Sequence, residues 1–450
     1  MNSDTIVAVA TPAGVGGIAV IRLSGPDALA LATPHLSPFT SHLSPFTFHL
    51  PPRRATYCRF DDIDDGIAVY YPTGYTGEPT VEFSCHGSTY VQQAIVQALL
   101  DSGARMAEPG EFTLRAFLHG RLNLSQAEAV ADLIDAVTPQ QHQLAVSQLR
   151  GGYAEQLRVL RQQLLDLTAL LELELDFSQE DVEFADRQEL CDLIKTINLQ
   201  LTALIDSFAT GNALKCGIPV AIVGRPNAGK SSLLNALLSD DRAIVSPIPG
   251  TTRDTIEEAL TIDGLTFRFI DPAGLREERD LLEDMGFHRS IQAAQRAQVI
   301  LYVRDIRLPF DKEALDDIAH LTSQCDMKGK LLLVVHNKCD LPHEETPLGN
   351  IISALDGTGI DDLRHNIAQA MQEQVQQTGG VLLANVRHRD ALLHVREALL
   401  AARQDIVGGQ PADLVAVHLR DALYHLGTIT GEVASDEVLS NIFSRFCIGK

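Results

Sequence analysis

Three short runs hold residues whose types and order suit phosphate chemistry. Gly224-Arg225-Pro226-Asn227-Ala228-Gly229-Lys230-Ser231 follows directly on the apolar run Ile218-Pro219-Val220-Ala221-Ile222-Val223. A glycine-rich turn between a buried strand and a helix curls backbone N–H groups around an anion, and the helix points its positive end at it. In that frame Lys230 reaches the β- and γ-phosphates of a nucleotide, and Ser231 supplies a Mg²⁺ ligand. Asp271-Pro272-Ala273-Gly274 ends a second strand-like run, Leu265 to Ile270. Its Asp would hold the Mg²⁺ shell and its Gly N–H would sense the γ-phosphate. Asn337-Lys338-Cys339-Asp340 ends a third run, Leu332 to His336, and decides the base. A carboxylate at Asp340 accepts from both N1–H and N2–H₂ of guanine, donors that adenine lacks at those positions, so GTP is selected over ATP. Ser353-Ala354-Leu355 would complete the base pocket.

Hydrolysis needs an oriented water. Ras-like GTPases place a Gln directly after D-x-x-G, and here that position is Leu275, which cannot hold water. Polar candidates follow at Arg276, Glu277, Glu278, Arg279, Asp280 and Glu283. No arginine finger is assignable from spacing, which leaves room for a monovalent cation to balance the transition-state charge. Asn227 offers the amide oxygen that K⁺ accepts, or it is a simple loop residue. Gly250-Thr251-Thr252-Arg253-Asp254 lies where a switch loop closing on Mg²⁺ and γ-phosphate belongs.

These runs require a parallel α/β scaffold, and the rest of the chain must carry it. At 450 residues there is length for two to four domains. The first 118 residues mix β-branched runs with Gly/Pro turns and read as α+β, with Thr33 to Pro52 a loop or insertion. Leu157, Leu160, Leu164, Leu167 and Leu171 recur at helical spacing, as do Leu392, Val395, Leu399, Ala402 and Ile406. The expected architecture is a Ras-like, mostly parallel P-loop domain at 214–380, inserted in a discontinuous helical domain (119–213 and 381–450) and preceded by an α+β domain at 1–118.

Charged residues make up 21% and hydrophobic ones 45%, as in folded proteins. The net charge of −23 argues against binding a phosphate backbone with the whole surface. The N-terminus lacks a signal or transit pattern and no run is long enough to span a bilayer, so a cytosolic protein without membrane partners is expected. Seven cysteines form no C-x-x-C pair, and most are expected to be small buried hydrophobes.

Gly250-Thr251-Thr252-Arg253-Asp254, Asp271-Pro272-Ala273-Gly274-Leu275-Arg276 and the terminal Phe446-Cys447-Ile448-Gly449-Lys450 together resemble the tRNA-modification GTPase family MnmE, also called TrmE. The run Ala10 to Arg22 and Pro109-Gly110-Glu111-Phe112-Thr113 fit the same family, so the resemblance covers essentially the whole chain. It implies a K⁺-activated GTPase, homodimeric through its N-terminal domain, that works with the FAD-dependent MnmG (GidA) as a heterotetramer. Together such proteins install an aminomethyl or carboxymethylaminomethyl group on C5 of the wobble uridine, U34, of certain tRNAs. The one-carbon donor implied is 5-formyltetrahydrofolate or methylenetetrahydrofolate.

By that resemblance Asn227, Ser246, Ile248 (through its carbonyl) and Thr251 bind K⁺, and Ser231 and Thr252 bind Mg²⁺. GTP then lies against Asn227, Ala228, Gly229, Lys230, Ser231 and Ser232, against Ser246, Pro247, Ile248, Pro249, Gly250, Thr251 and Thr252, and against Asp271, Pro272, Ala273, Gly274, Asn337, Lys338 and Asp340. Glu283, twelve positions after Asp271, becomes the residue that orients water. Arg22, Glu82, Arg121 and Lys450 match folate-binding positions, with Arg121 where relatives often carry Lys. Cys447 matches a cysteine implicated in modification, as a nucleophile or as a packed thiol. Pro272 stands where Thr is usual, and Leu355 where Lys is common. A regulatory GTPase, such as a ribosome-assembly factor, shares the nucleotide motifs but has no evident need for the folate-like positions or the C-terminal run.

Overall fold

A computed structural model of the chain describes residues 4–38, 49–176, 187–238, 258–270, 283–309, 311–327, 329–343, 349–378 and 381–449, without the side chains of 173–176, 283–289 and 377–378. By contact the chain divides into two units, Met1–Ala131 with Gly427–Lys450, and Asp132–Leu426.

The first unit opens with β1 (Ile6–Val9), β2 (Gly16–Ser24), α1 (Ala28–Ala32), β3 (Leu36–Pro38), β4 (Thr56–Phe60), β5 (Asp64–Tyr71), β6 (Thr80–Gly87), α2 (Thr89–Asp101), β7 (Arg105–Met106), α3 (Glu111–Leu118) and the start of α4 (Leu124–Asp135). Its seven strands are ordered β3-β4-β5-β6-β2-β1-β7, antiparallel apart from the β1–β7 pair. Alternation sorts the side chains. Val7, Ala19, Ile21, Leu23, Val81 and Phe83 face α1 and α2 in one core with Ile95 and Leu99. The opposite face carries Ile6 and Ala8, which bury against Phe112 of α3. Thr33 to Pro52 is not all loop: Leu36–Pro38 pairs with β4, because Leu36 is apolar enough to bury at the sheet edge.

The second unit continues with α5 (Pro139–Leu149), α6 (Gly152–Asp176), α7 (Arg187–Asp206), α8 (Phe208–Cys216), β8 (Ile218–Val223), α9 (Lys230–Leu238), β9 (Glu258–Ile262), β10 (Leu265–Phe269), α10 (Glu283–Arg296), β11 (Val299–Asp305), α11 (Lys312–Gln324), β12 (Leu331–Asn337), β13 (Asn350–Ile351), α12 (Ile360–Thr378), α13 (Val386–Val407) and α14 (Ala412–Thr430). The leucine stripe of α6 and the apolar stripe of α13 are buried, as their spacing demands. The Ser207 hydroxyl accepts from Leu383 N at 3.0 Å, so the chain leaves the inserted region beside the point where it went in.

The inserted sheet is ordered β13-β12-β11-β8-β10-β9, parallel except for the β9–β10 hairpin. Ile218, Val220, Ile222, Leu301 and Val303 pack with α9 and α12 on one side. Ala221, Val223, Ile300 and Tyr302 pack with α10 and α11 on the other. Chain order reverses on either side of β8, which is where an open α/β sheet binds its ligand, beyond the carboxyl ends of the strands.

The last helix, α15 (Asp436–Phe443), returns to the first unit. Residues 427–450 therefore group by contact with the N-terminal sheet. The reason is local: Phe443 and Phe446 bury against Leu124 and Ala127.

Candidate nucleotide-binding site

The turn from β8 to α9 is shaped by two glycines with positive φ. At Gly224 (φ +148°) a Cβ would collide with the Val303 carbonyl, and at Gly229 (φ +96°) with the Asn337 side chain. Lys230, 4% exposed, folds back to donate to the carbonyls of Gly224 at 2.8 Å and Arg225 at 3.0 Å. It thus spans the mouth of the loop where a phosphate would sit. Ser231 and Ser232 follow in the first turn of α9, whose far end is tied down by Arg364 donating to Leu237 O at 2.5 Å.

The run Asn337-Lys338-Cys339-Asp340 is stapled to this loop by two consecutive side chains. Asn337, 2% exposed, donates from Nδ2 to Ala228 O at 2.9 Å and accepts at Oδ1 from Ala354 N at 3.0 Å. One amide therefore joins the phosphate loop to Ser353-Ala354-Leu355. Lys338 Nζ donates to Asn227 O at 2.7 Å and to Asp305 Oδ2 at 2.8 Å. Both Asn227 (φ +62°) and Lys338 (φ +72°) are left-handed, a conformation costing a non-glycine residue roughly 1–2 kcal/mol. The bond between them offsets that strain and fixes both turns at once. Asp305, which no motif marked, ends β11 in register with Asn337 of β12. Arg307 and Lys338 hold its carboxyl well below the usual carboxylate range. A cavity of about 250 Å³ beside the loop is lined by Arg225, Asn227, Tyr302, Asp305, Arg307 and Lys338, among others.

Asp340 follows β12, and Leu355, with Ser353 buried behind it, stands out 87% exposed. Ser246 to Thr252, Asp271 to Gly274, Leu275 to Asp280 and Lys450 lie outside the described residues, and Glu283 is described only as the first residue of α10. Among the described residues no cluster of three or more His, Cys, Asp or Glu could hold a metal, and no helix is long and apolar enough to cross a membrane.

The first unit brings a second set together. Arg22 and Glu82 are direct partners across β2 and β6, and their side chains pair at 2.7 Å. The Arg22 guanidinium also lies 5.8 Å from the Tyr75 ring centroid and 5.6 Å from that of Phe112, and donates to Gly449 O at 3.4 Å. Tyr75 and Thr113 share a hydroxyl hydrogen bond of 3.1 Å. Arg121 borders the turn at Gly77. Phe112 and Thr113 stand in the family-like run Pro109 to Thr113 but had no site role from sequence, and Tyr75 was not marked at all, since nothing in their spacing relates them to Arg22. Cys58, Cys85, Cys191 and Cys325 are buried as expected, Cys216 and Cys339 only partly, and Cys447 is exposed, which leaves no support for a packed thiol there.

Comparison with known proteins meets this geometry from the other side. Residues 5–121 match the family model described as GTP-binding protein TrmE N-terminus, and residues 124–447 match the MnmE helical domain. A protein of Flavobacterium johnsoniae is 44% identical with all of both chains covered. One of Christiangramia forsetii is 43% identical over 100% of this chain and 99% of its own, and one of Porphyromonas gingivalis 45% identical over 100% and 98%. All three are named tRNA modification GTPase MnmE. The likeness runs through both units, so the chain belongs to the MnmE family and is a GTP hydrolase of tRNA modification.

Proposed function

We propose that GTP hydrolysis by this chain is K⁺-activated, with Mg²⁺ on Ser231 and Thr252, and drives modification of C5 of U34 with a folate one-carbon donor and an FAD-dependent MnmG partner. The chain acts as a cytoplasmic homodimer within a heterotetramer. Glu283 orients the attacking water. Asn227, Ser246, Ile248 and Thr251 hold K⁺, whose charge replaces an arginine finger. Arg22, Glu82, Arg121 and Lys450 bind the folate.

The observation that carries this reading over a purely regulatory GTPase is the surroundings of Arg22. A guanidinium set between a carboxylate and two rings suits a ligand with both an anionic tail and a flat heterocycle. The backbone next to Cys447 reaches the same arginine through Gly449 O. A ribosome-assembly factor has no use for that arrangement.

The test is GTP turnover in KCl and NaCl at equal ionic strength, with 5-formyltetrahydrofolate binding followed by calorimetry. K⁺-specific stimulation together with folate binding supports the proposal. Equal, slow rates and no folate binding would turn the assignment toward the regulatory alternative.

A further inference from the structure

We propose that Asp305 is a positioning residue for guanine-nucleotide binding, setting the Lys338 ammonium and, through it, the Asn227 turn of the phosphate loop. The inference concerns the GTPase activity itself and does not depend on K⁺, folate or a partner protein.

Three observations support it. Asp305 is 7% exposed at the carboxyl end of β11, opposite Asn337 in the parallel register, so the strand pairing fixes where its carboxylate stands. The neighbouring Ile306 N donates to Asn337 O at 2.9 Å, which holds the start of the loop after β11 against the base-reading run. Lys338 Nζ then bridges the Asp305 carboxylate and the Asn227 carbonyl at 2.8 and 2.7 Å. A lysine stem has four rotatable bonds, and an ammonium with one carbonyl partner would sample many of their settings. The carboxylate selects one. With its stem fixed, Lys338 can flank a bound base while its head pins the loop that wraps the phosphates. Arg307 contributes differently: it is half-exposed and donates to Asp305 alone among these groups, at 2.6 and 3.0 Å. It tethers the carboxylate without touching the loop.

The experiment uses the full-length protein, fluorescently labelled GDP, steady-state GTP kinetics and thermal midpoints. Asp305→Asn is expected to weaken GDP affinity and raise KM for GTP roughly tenfold, with kcat at saturating GTP within about threefold of the parent. Asp305→Glu should recover most of the affinity. Arg307→Gln removes one tether of the carboxylate while the β11–β12 register and Lys338 still place it, so GDP affinity should fall less than in Asp305→Asn. Lys338→Met should lose affinity too, and adding Asp305→Asn to it should cost little more, because the two act as one unit. Parental GDP affinity in Asp305→Asn would overturn the proposal. So would single effects that multiply in the double variant, or a loss in Arg307→Gln as large as in Asp305→Asn, which would point to general charge. If Asp305→Asn fails to fold, the Asp305→Glu and Arg307→Gln pair still decides: glutamate failing to hold affinity while the midpoint stays parental sinks the idea.

Discussion

The nucleotide loop and the Arg22 cluster, each of which we propose holds a charged ligand, are built for it by opposite means. Around residues 224–231 the backbone does the holding: two positive-φ glycines, a helix N-terminus and one lysine folded onto loop carbonyls. Around Arg22 the side chains do it, drawn from β2, β6, the turn at Tyr75, α3 and the chain terminus. A backbone cradle tolerates little change in its few special residues and accepts any phosphate. A side-chain cradle distributes its function, so single losses should be graded and selectivity for ligand shape higher.

The largest effect should come from the cradle's one indispensable cation. Lys230→Ala is expected to lower GTP turnover roughly 10³-fold, read in single-turnover assays at saturating GTP. A variant retaining a tenth of parental turnover would mean that backbone N–H groups alone carry the phosphates. Asp340→Asn should weaken GTP binding roughly 10²-fold while improving xanthosine triphosphate, because the amide reverses one donor–acceptor contact with the base. GTP remaining the preferred nucleotide would break the assignment of Asp340 as base reader. At the side-chain site, Arg22→Ala should weaken 5-formyltetrahydrofolate binding about 10–100-fold, the worth of a charged hydrogen bond. Arg22→Lys should fall between, since an ammonium keeps charge but loses the planar face toward Tyr75 and Phe112. If Lys binds as well as Arg, the rings are only packing.

The same contrast explains what could be read in advance. The eight residues from Gly224 to Ser231 are contiguous and their chemistry depends on backbone shape, so order alone announces them. The stripes of α6 and α13 are equally local, because a helix must bury residues spaced three and four apart. What stayed hidden depends on tertiary register. Asp305 meets Lys338 across 33 positions only because β11 and β12 align, and Arg22 meets Gly449 across 427. The packing of the terminal segment was hidden for a related reason: the partner of Phe443 and Phe446 is chosen by burial against Leu124 and Ala127. Arg22 and Glu82 were reachable through family resemblance alone, whereas Tyr75 and the place of Phe112 beside Arg22 needed the fold.

The smallest expected effect concerns the support beneath the side-chain site. Arg115, 8% exposed at its side chain, pairs with Asp4 at 2.7 Å, Glu111 at 2.9 Å and Glu78 at 3.3 Å, while Arg105 pairs with Asp4 and Glu111 at 2.6 Å each. This network ties the chain before β1 to α3, which carries Phe112 and Thr113. Arg105 and Arg115 hold the Asp4 carboxyl below its ordinary 3.8. Burial alone would raise Glu111, but Arg105, the Glu108 N–H and Arg115 outweigh it and keep the carboxyl below 4.5. A carboxyl lowered by folding adds stability that is complete above its unfolded value and disappears as pH falls through the lowered one. The network should therefore contribute fully above about pH 4.5 and weaken below it, and hydrogen exchange should speed in residues 4–9 and 105–118 before it does in β8 and β11. Glu111→Gln should cost roughly 1–3 kcal/mol near neutral pH by leaving buried donors poorly matched. The variant should also show a shallower acid limb in these segments, having lost one of the groups that titrates. An unchanged acid limb would assign the pH response to Asp4, and with it the hold on α3.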